Sequence, residues 1–256
     1  MPRGYQPGAP GHVLLTGASS GLGAALARLY AAPGVRLSLT ARDAGRLAAV
    51  AADCRAAGAE VATEAGLDVT AREPLAAWIE AADALRPVDL AIANAGVSGG
   101  RLGSGAATPI LATNLFGVVN TVEPLIPRMV ARGRGQIALV ASLAGFFGTA
   151  QAPAYGASKA AVRVWGEGLR ARLAPAGVVV STVCPGFVAT PLTATNRFPM
   201  PLLMSPERAA LAVARGLASG RARVAFPLPL YLAVRVAAAL PADLMARLLR
   251  KQASKE

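Results

Sequence analysis

The sequence predicts an α/β fold: one doubly wound domain on a mostly parallel seven-stranded sheet, with helices on both faces. Three observations lead there. Seven short apolar runs rich in Val, Leu, Ile and Ala alternate with longer stretches of helical length. Such runs suit strands covered above and below by helices, the usual situation in parallel sheets. No linker-like stretch or internal repeat divides the 256 residues, and a single α/β domain commonly reaches that length.

In chain order, His12–Thr16 is the first strand, followed by a glycine-rich turn from Gly17 to Gly23 and a helix to about Ala32. Val35–Ala41 is a strand and Asp43–Ala57 a helix; Val61–Thr63 is a short third strand. A helix over Arg72–Leu85 leads into the strand Val88–Ala93. One long helix over about Leu111–Ala131, a strand at Gln136–Ala141 and a helix over Ala154–Leu173 follow. Val178–Val183, a helix over Pro206–Ala218 and the strand Arg223–Phe226 complete the pattern. The expected organisation is a disordered tail over 1–10, a nucleotide-binding and catalytic domain over 11–226, and an apolar, basic helical extension over 227–256.

Composition removes several function classes. With 54% hydrophobic and 16% charged residues the chain is not disordered. Cys54 and Cys184 lie far apart without C-x-x-C spacing, and His12 is the lone histidine, so no disulfide scaffold and no metal site is expected. The first ten residues carry no apolar signal segment, and no uninterrupted apolar run of about 18 residues occurs, so a cytoplasmic protein with reduced thiols is expected. The net charge of +12 suggests nucleic acid, but no basic run is interleaved with aromatics, which total 5%. The arginines read better as solvated helix faces, and no nucleic-acid partner is expected.

The turn Thr16-Gly17-Ala18-Ser19-Ser20-Gly21-Leu22-Gly23 sits between a strand and a helix, where a dinucleotide pyrophosphate is usually held. Glycines allow a tight turn and a close backbone approach to phosphate, and the helix N-terminus supplies free N–H groups. The end of the second strand reads Thr40-Ala41-Arg42. An acid there would bond a ribose 2′-hydroxyl. Ala41 removes that carboxylate, and Arg42 suits a 2′-phosphate, so NADP(H) is expected. Asp43, one residue later, keeps NAD(H) open as the alternative.

Tyr155 and Lys159, four apart, share one face of a helix. An ammonium beside a phenol favours phenolate and lowers its pKa from about 10, fitting it for proton exchange near neutrality. Ser142, just after a predicted strand, is placed to hold a substrate carbonyl in the same cleft.

Together these residues resemble the short-chain dehydrogenase/reductase superfamily in its single-domain Rossmann form. The resemblance rests on Thr16-Gly17-x-x-x-Gly21-x-Gly23, Asp68-Val69, Asn94-Ala95-Gly96, Asn114, Ser142, Tyr155-x-x-x-Lys159 and Pro185-Gly186-x-x-x-Thr190, in that order over residues 12 to 226. It implies that Ser142 orients the substrate carbonyl and that Tyr155 is the acid in reduction and the base in oxidation. Lys159 would bind the nicotinamide ribose and tune Tyr155, and Asn114 would kink its helix and anchor a proton-relay water. Asp68 and Val69 would meet the adenine, Asn94 would brace the sheet, and Thr190 would meet the carboxamide. Ser19, Ser20, Leu22, Ala95, Gly96, Pro185, Gly186 and Val188 join the cofactor-binding set. A homodimer or homotetramer is implied as well.

Two stretches depart from that pattern. The segment between Asn94 and Asn114 is short and Gly-rich, which puts the cleft wall and the usual dimer contact in question. The C-terminal part runs from Phe226 to Leu240 as an apolar segment broken by Arg235. A helix from Ala242 to about Arg250 then carries the apolar stripe Leu244, Met245, Leu248 and Leu249. From Arg221 on, seven basic residues against two acids supply +5 of the +12. This extension is too short to span a bilayer; packing on the domain's own core or on a second copy is the first expectation, and contact with the interface at the inner face of a membrane is the alternative. The segment Leu192–Ser205, with Phe198, Met200, Leu202, Leu203 and Met204, joins Phe146, Phe147 and Gln151 in suggesting an apolar, lipid- or steroid-like carbonyl or alcohol substrate. The rival function is a regulatory or scaffold protein that binds NADPH without turnover.

Overall fold

The structure, a computed structural model, describes residues 9–98, 107–194, 196, 198–241 and 243–245, apart from the side chains of Glu64 and Ala65. Seven strands form one sheet: β1 (His12–Thr16), β2 (Arg36–Ala41), β3 (Glu60–Ala65), β4 (Leu90–Ala93), β5 (Gly135–Val140), β6 (Val178–Pro185) and β7 (Arg223–Phe226). Their spatial order is β3-β2-β1-β4-β5-β6-β7, and every pair is parallel. The order reverses between β1 and β4, the place where an open parallel sheet leaves a crevice at its carboxyl edge.

Period-two alternation sorts the apolar strands onto two faces. Leu15, Leu37 and Leu39 pack with Leu26 of helix α1 (Gly21–Tyr30), Leu47 of α2 (Ala44–Ala56) and Val213 of α8 (Pro206–Ala218). Leu14, Ile137 and Leu139 turn the other way. There they meet Leu75 and Ile79 of α3 (Arg72–Leu85) and Val162 of α7 (Pro153–Leu173).

The stretch read as one long helix is interrupted. It comprises α4 (Ala107–Leu111), a π-helical turn (Ala112–Phe116), α5 (Gly117–Val122) and α6 (Ile126–Ala131). Apolar periodicity ran through all these segments, and a single widened turn leaves that pattern nearly intact. This composite, Ala107–Ala131, is long and apolar enough to cross a membrane, but Val118, Val122 and Met129 are buried against the sheet.

β7 leads into α9 (Leu228–Ala238), which has two faces. Leu230, Tyr231 and Val234 pack on the second core cluster, while Leu228, Leu232 and Val236 are exposed. Leu248 and Leu249 of the expected terminal stripe lie outside the described residues, as do most of 1–10 and positions 99–106 of the Gly-rich segment.

Polar groups inside the fold are structural. His12 is fully buried, its ring nitrogens 2.6 Å from the Arg86 carbonyl and 2.9 Å from Ser38 Oγ, and burial above all lowers its pKa. Cys54 and Cys184 are free and buried, and burial raises both thiols, Cys184 to about 12.

Asp83 ties three elements together. It accepts from the Val88 N–H at 2.8 Å and from both Arg132 Nη atoms at 2.9 Å. Burial pushes this carboxyl up, but the bonds from Arg132 and Val88 outweigh it and hold it below its ordinary value. Asp83→Ala leaves a partly buried guanidinium without its partner, and denaturant unfolding is expected to show a loss of about 3 kcal/mol. In the wild type this contribution is complete above the ordinary carboxylate pKa and is lost as pH falls through the depressed folded value. The variant's deficit therefore shrinks in acid.

Candidate active site

A cleft of about 790 Å³ opens at the carboxyl ends of the central strands. Its floor forms where β1 and β4 part. Their pairing ends at Leu15 and Ile92; beyond, Asn94 Nδ2 donates to the carbonyls of Thr16 (3.1 Å) and Gly17 (3.2 Å). Thr16 Oγ1 accepts in return from the N–H groups of Asn94 (3.2 Å) and Ala95 (3.4 Å). Thr16, 1% exposed, thus braces the floor from beneath and does not line the cleft.

Two glycines of the first turn are needed for space. Gly17 has φ +69°, and a Cβ there would sit 2.8 Å from Ala95 Cα; a Cβ on Gly23 would meet the Gly17 carbonyl at 2.2 Å. Ser20 precedes α1 in an extended conformation without capping it, so the opening N–H groups of the helix carry no side-chain cap. Ser19, Ser20, Gly21, Leu22 and Gly23 all line this end.

Further along are Arg42, Asp68 and Val69. The Arg42 side chain is 63% exposed and lies 3.8 Å from Asp68. Arg46 joins them on the wall and was not read from the sequence. Its signal was there: Arg46 lies in the first turn of α2, four residues after Arg42. Asp43 is committed elsewhere. Its carboxylate accepts the Arg46 N–H at 2.9 Å as the N-cap of α2 and pairs with the Arg46 side chain at 2.8 Å.

At the other end, Ser142 opens a single 3₁₀ turn, Leu143–Gly145. Its hydroxyl accepts from the Ala144 N–H (3.1 Å) and donates to the Pro185 carbonyl (3.4 Å). Tyr155 and Lys159 face the same space from α7. Lys159 is 3% exposed; its Nζ donates to the Val140 carbonyl at 2.8 Å and lies 5.8 Å from the Tyr155 ring centroid. Burial lowers Lys159 to about 8, with Cys184 acting the other way. Burial also raises the Tyr155 phenol, and the Ser142 hydroxyl pulls it back in part. This corrects the sequence expectation of a phenol lowered by its neighbouring ammonium. With Nζ bonded to a carbonyl, desolvation governs both groups.

Asn114 sits in the π-helical turn, as a kink at this residue requires, but its amide is engaged locally. Nδ2 donates to the Val97 carbonyl (2.9 Å) and Ser158 Oγ (3.1 Å), and Oδ1 accepts the Val97 N–H (2.8 Å). Ser158 Oγ in turn donates to the Tyr155 carbonyl at 2.7 Å. Asn114 does not line the cleft; a Cβ on Gly96 would lie 3.2 Å from its Oδ1 and 3.5 Å from Lys159 Nζ.

Asn94, Ala95, Gly96, Pro185, Gly186, Val188 and Thr190 complete the expected wall. The remaining space is lined by Val97, Ser98, Pro109, Thr113, Leu192 and Thr193. The first four belong to the short stretch expected at the cleft wall, the last two to the segment expected at the apolar pocket. The apolar group expected around it is placed differently. Leu202 and Leu203 are exposed, Met204 packs on the first core cluster, Phe146 on the second, and Phe198 against Phe187 at 6.0 Å.

The sequence model of the short chain dehydrogenase family matches residues 11–199. The chain belongs to this family. The dehydrogenase is 42% identical over 233 residues to an uncharacterised oxidoreductase of Myxococcus xanthus, covering 89% of this chain and 92% of the relative. It is 36% identical over 214 residues to the ketoacyl reductase HetN of Nostoc sp., covering 80% and 74%. Among solved structures, a short-chain dehydrogenase from Sphingobium yanoikuyae in complex with NADPH superposes with a TM-score of 0.75 at 30% identity, over 95% of this chain and 94% of that one. One from Mycobacterium paratuberculosis bound to NAD shares the fold, with a TM-score of 0.73 at 24% identity over 86% and 97%. The dehydrogenase is thus an oxidoreductase of a nicotinamide-binding family.

The buried Lys159 has a measurable signature. The folded protein releases this proton near pH 8, whereas the unfolded chain holds it to 10.5. The wild type therefore gains stability as pH rises across that interval. Lys159→Met removes the gain. Denaturation of both proteins should show their difference shifting toward the wild type from pH 8 to 10.5; parallel curves would contradict it.

Proposed function

We propose that this dehydrogenase interconverts a carbonyl and a secondary alcohol, prefers NADP(H) over NAD(H), and takes an apolar substrate of lipid- or steroid-like character. The observation that carries the reading is the convergence of Ser142, Tyr155 and Lys159 at one end of a cleft whose other end holds two arginines. The residues fit a dinucleotide: α1 presents N–H groups without a side-chain cap, and three glycines of the Gly17–Gly23 turn line the cleft. When bound, the nicotinamide supplies or accepts the hydride.

The chain's own groups supply the rest. Ser142 Oγ, fixed by the Ala144 N–H, turns its one hydrogen from the Pro185 carbonyl to the carbonyl oxygen of the substrate. Tyr155 Oη gives that oxygen its proton in reduction and takes it back in oxidation; burial keeps the phenol protonated at neutrality, the form reduction needs. Lys159 holds the nicotinamide ribose and, near its pKa of about 8, exchanges protons readily with its surroundings. Asn114 keeps the segment after β4 and the start of α7 together through Val97 and Ser158. At the far end Arg42 and Arg46 suit a 2′-phosphate. Asp43, which would otherwise favour a 2′-hydroxyl, is occupied as a helix cap. The relation to a ketoacyl reductase favours a substrate carbonyl on an acyl chain.

Tyr155→Phe should lower turnover of a responsive ketone by about a hundredfold or more while NADPH binding persists. A fully active variant would remove Tyr155 as the acid and base, whereas NADPH binding by a wild type that turns over no ketone or alcohol would favour the NADPH-sensing role. Arg42→Ala should lower the NADPH-to-NADH preference by about tenfold, the value of one charge-assisted bond. An unchanged ratio removes Arg42 from that part.

We place the enzyme in the cytoplasm as a homodimer or homotetramer, with peripheral contact to an anionic membrane. The support is the exposed row Leu228, Leu232 and Val236 beside Arg235, in a chain of net charge +12. Leu232→Glu together with Val236→Glu should abolish pelleting of the full chain with phosphatidylserine-containing vesicles; equal pelleting rejects the contact.

A further inference from the structure

We propose that α9 is a positioning element of the catalytic end, acting through Tyr231, which holds Phe146 and thereby the turn that carries Ser142. The inference rests on the reading above that Ser142 meets the substrate carbonyl. The turn needs outside support, because one 3₁₀ turn closes with weak hydrogen bonds and side-chain caps only. Phe146 ends it, its N–H bonding the Leu143 carbonyl at 3.3 Å.

The Phe146 ring is gripped by three side chains that do not line the cleft. Arg163 of α7 stacks 4.7 Å from its centroid, Arg223 of β7 lies 5.4 Å away, and Tyr231 of α9 meets it edge-on at 5.7 Å and 71°. Such contacts are worth about 0.5–1.5 kcal/mol each in general. The grip is itself fixed. Tyr231 Oη accepts from Arg223 Nη1 (3.1 Å) and Arg235 Nη1 (3.2 Å). Arg163 and Arg223 share the carboxylate of Glu167, and Arg163 Nε also donates to the Gly145 carbonyl at 3.3 Å.

A second line runs from the same helix to the same serine. Leu230 packs so closely on Gly186 that a Cβ there would lie 2.8 Å from Leu230 Cδ2. Gly186 follows Pro185, whose carbonyl accepts the Ser142 hydroxyl. The inner face of α9 therefore backs both partners that set where Ser142 Oγ points. None of Phe146, Tyr231 or Leu230 lines the cleft, so these residues act by position alone.

The test compares Tyr231→Leu, Tyr231→Phe and, as a control at an exposed position of α9, Ala233→Gln. Hydrogen exchange of the 142–147 amides reads the turn without any substrate. Exchange should quicken in Tyr231→Leu, quicken less in Tyr231→Phe, which keeps the ring, and stay unchanged in the control. With a ketone that the wild type reduces, Tyr231→Leu should lose about tenfold in kcat/KM at unchanged NADPH affinity, since small misplacements of a reacting group are costly. Wild-type exchange in both tyrosine variants overturns the proposal. So does a fall in NADPH affinity parallel to that in kcat/KM, which marks general loosening. Should Tyr231→Leu fail to fold, exchange in Tyr231→Phe decides alone. An active Tyr155→Phe protein would sink the catalytic reading instead, and the exchange result would still report the mechanical link.

Discussion

The whole cleft depends on how far β1 and β4 separate after their last pair. Parallel strands that end without partners leave carbonyls and N–H groups facing outward, and here a single asparagine and a single threonine satisfy them across the gap. The clasp sets a fixed width. Gly17 and Gly23 bring the first turn down onto that floor as closely as backbone allows, and Ala95 bears on it from the other strand. Everything downstream is referenced to this point: α1 starts from it, and Gly96 continues it to the side of Lys159.

The second constraint is electrostatic. An ammonium and a phenol are buried side by side, and both are pushed toward their neutral forms. The protein tolerates this because the lysine finds one good acceptor, the Val140 carbonyl at a strand end that has no further strand partner beyond it. A chain of short bonds from Val97 through Asn114 and Ser158 to the Tyr155 carbonyl keeps the start of α7 from drifting. Position here is held by neutral hydrogen bonds, leaving the charged group few competing partners.

The sequence made the fold and the meeting of Ser142, Tyr155 and Lys159 in one cleft readable for a physical reason. Strands apolar on both faces and helices bounded by Pro206 or ended near Leu85 are local signals, and Ser142, Tyr155 and Lys159 sit at conventional places on those elements. Less readable were features decided by three-dimensional competition. The π-helical turn at Asn114 keeps the apolar period, so the residue pattern does not show it and only the family resemblance implies a kink there. Arg46 was overlooked although the expected helix from Asp43 already put it four residues after Arg42. The phenol's shift depends on which acceptor Lys159 finds, and that acceptor is a backbone atom. Phe146 and Met204 looked like pocket walls because apolar residues near a motif have no label saying which core they join.

One buried atom gives this arrangement an unusual internal clock. Cys184 lies one residue before Pro185, inside the same knot of packing, and its thiol is held protonated. Thiol reagents attack the thiolate and need access. A folded molecule therefore offers them almost nothing at this sulfur. Its rate of labelling becomes a count of how often β6 and the elements around it come apart, a record of breathing at the reactive end that requires neither substrate nor cofactor.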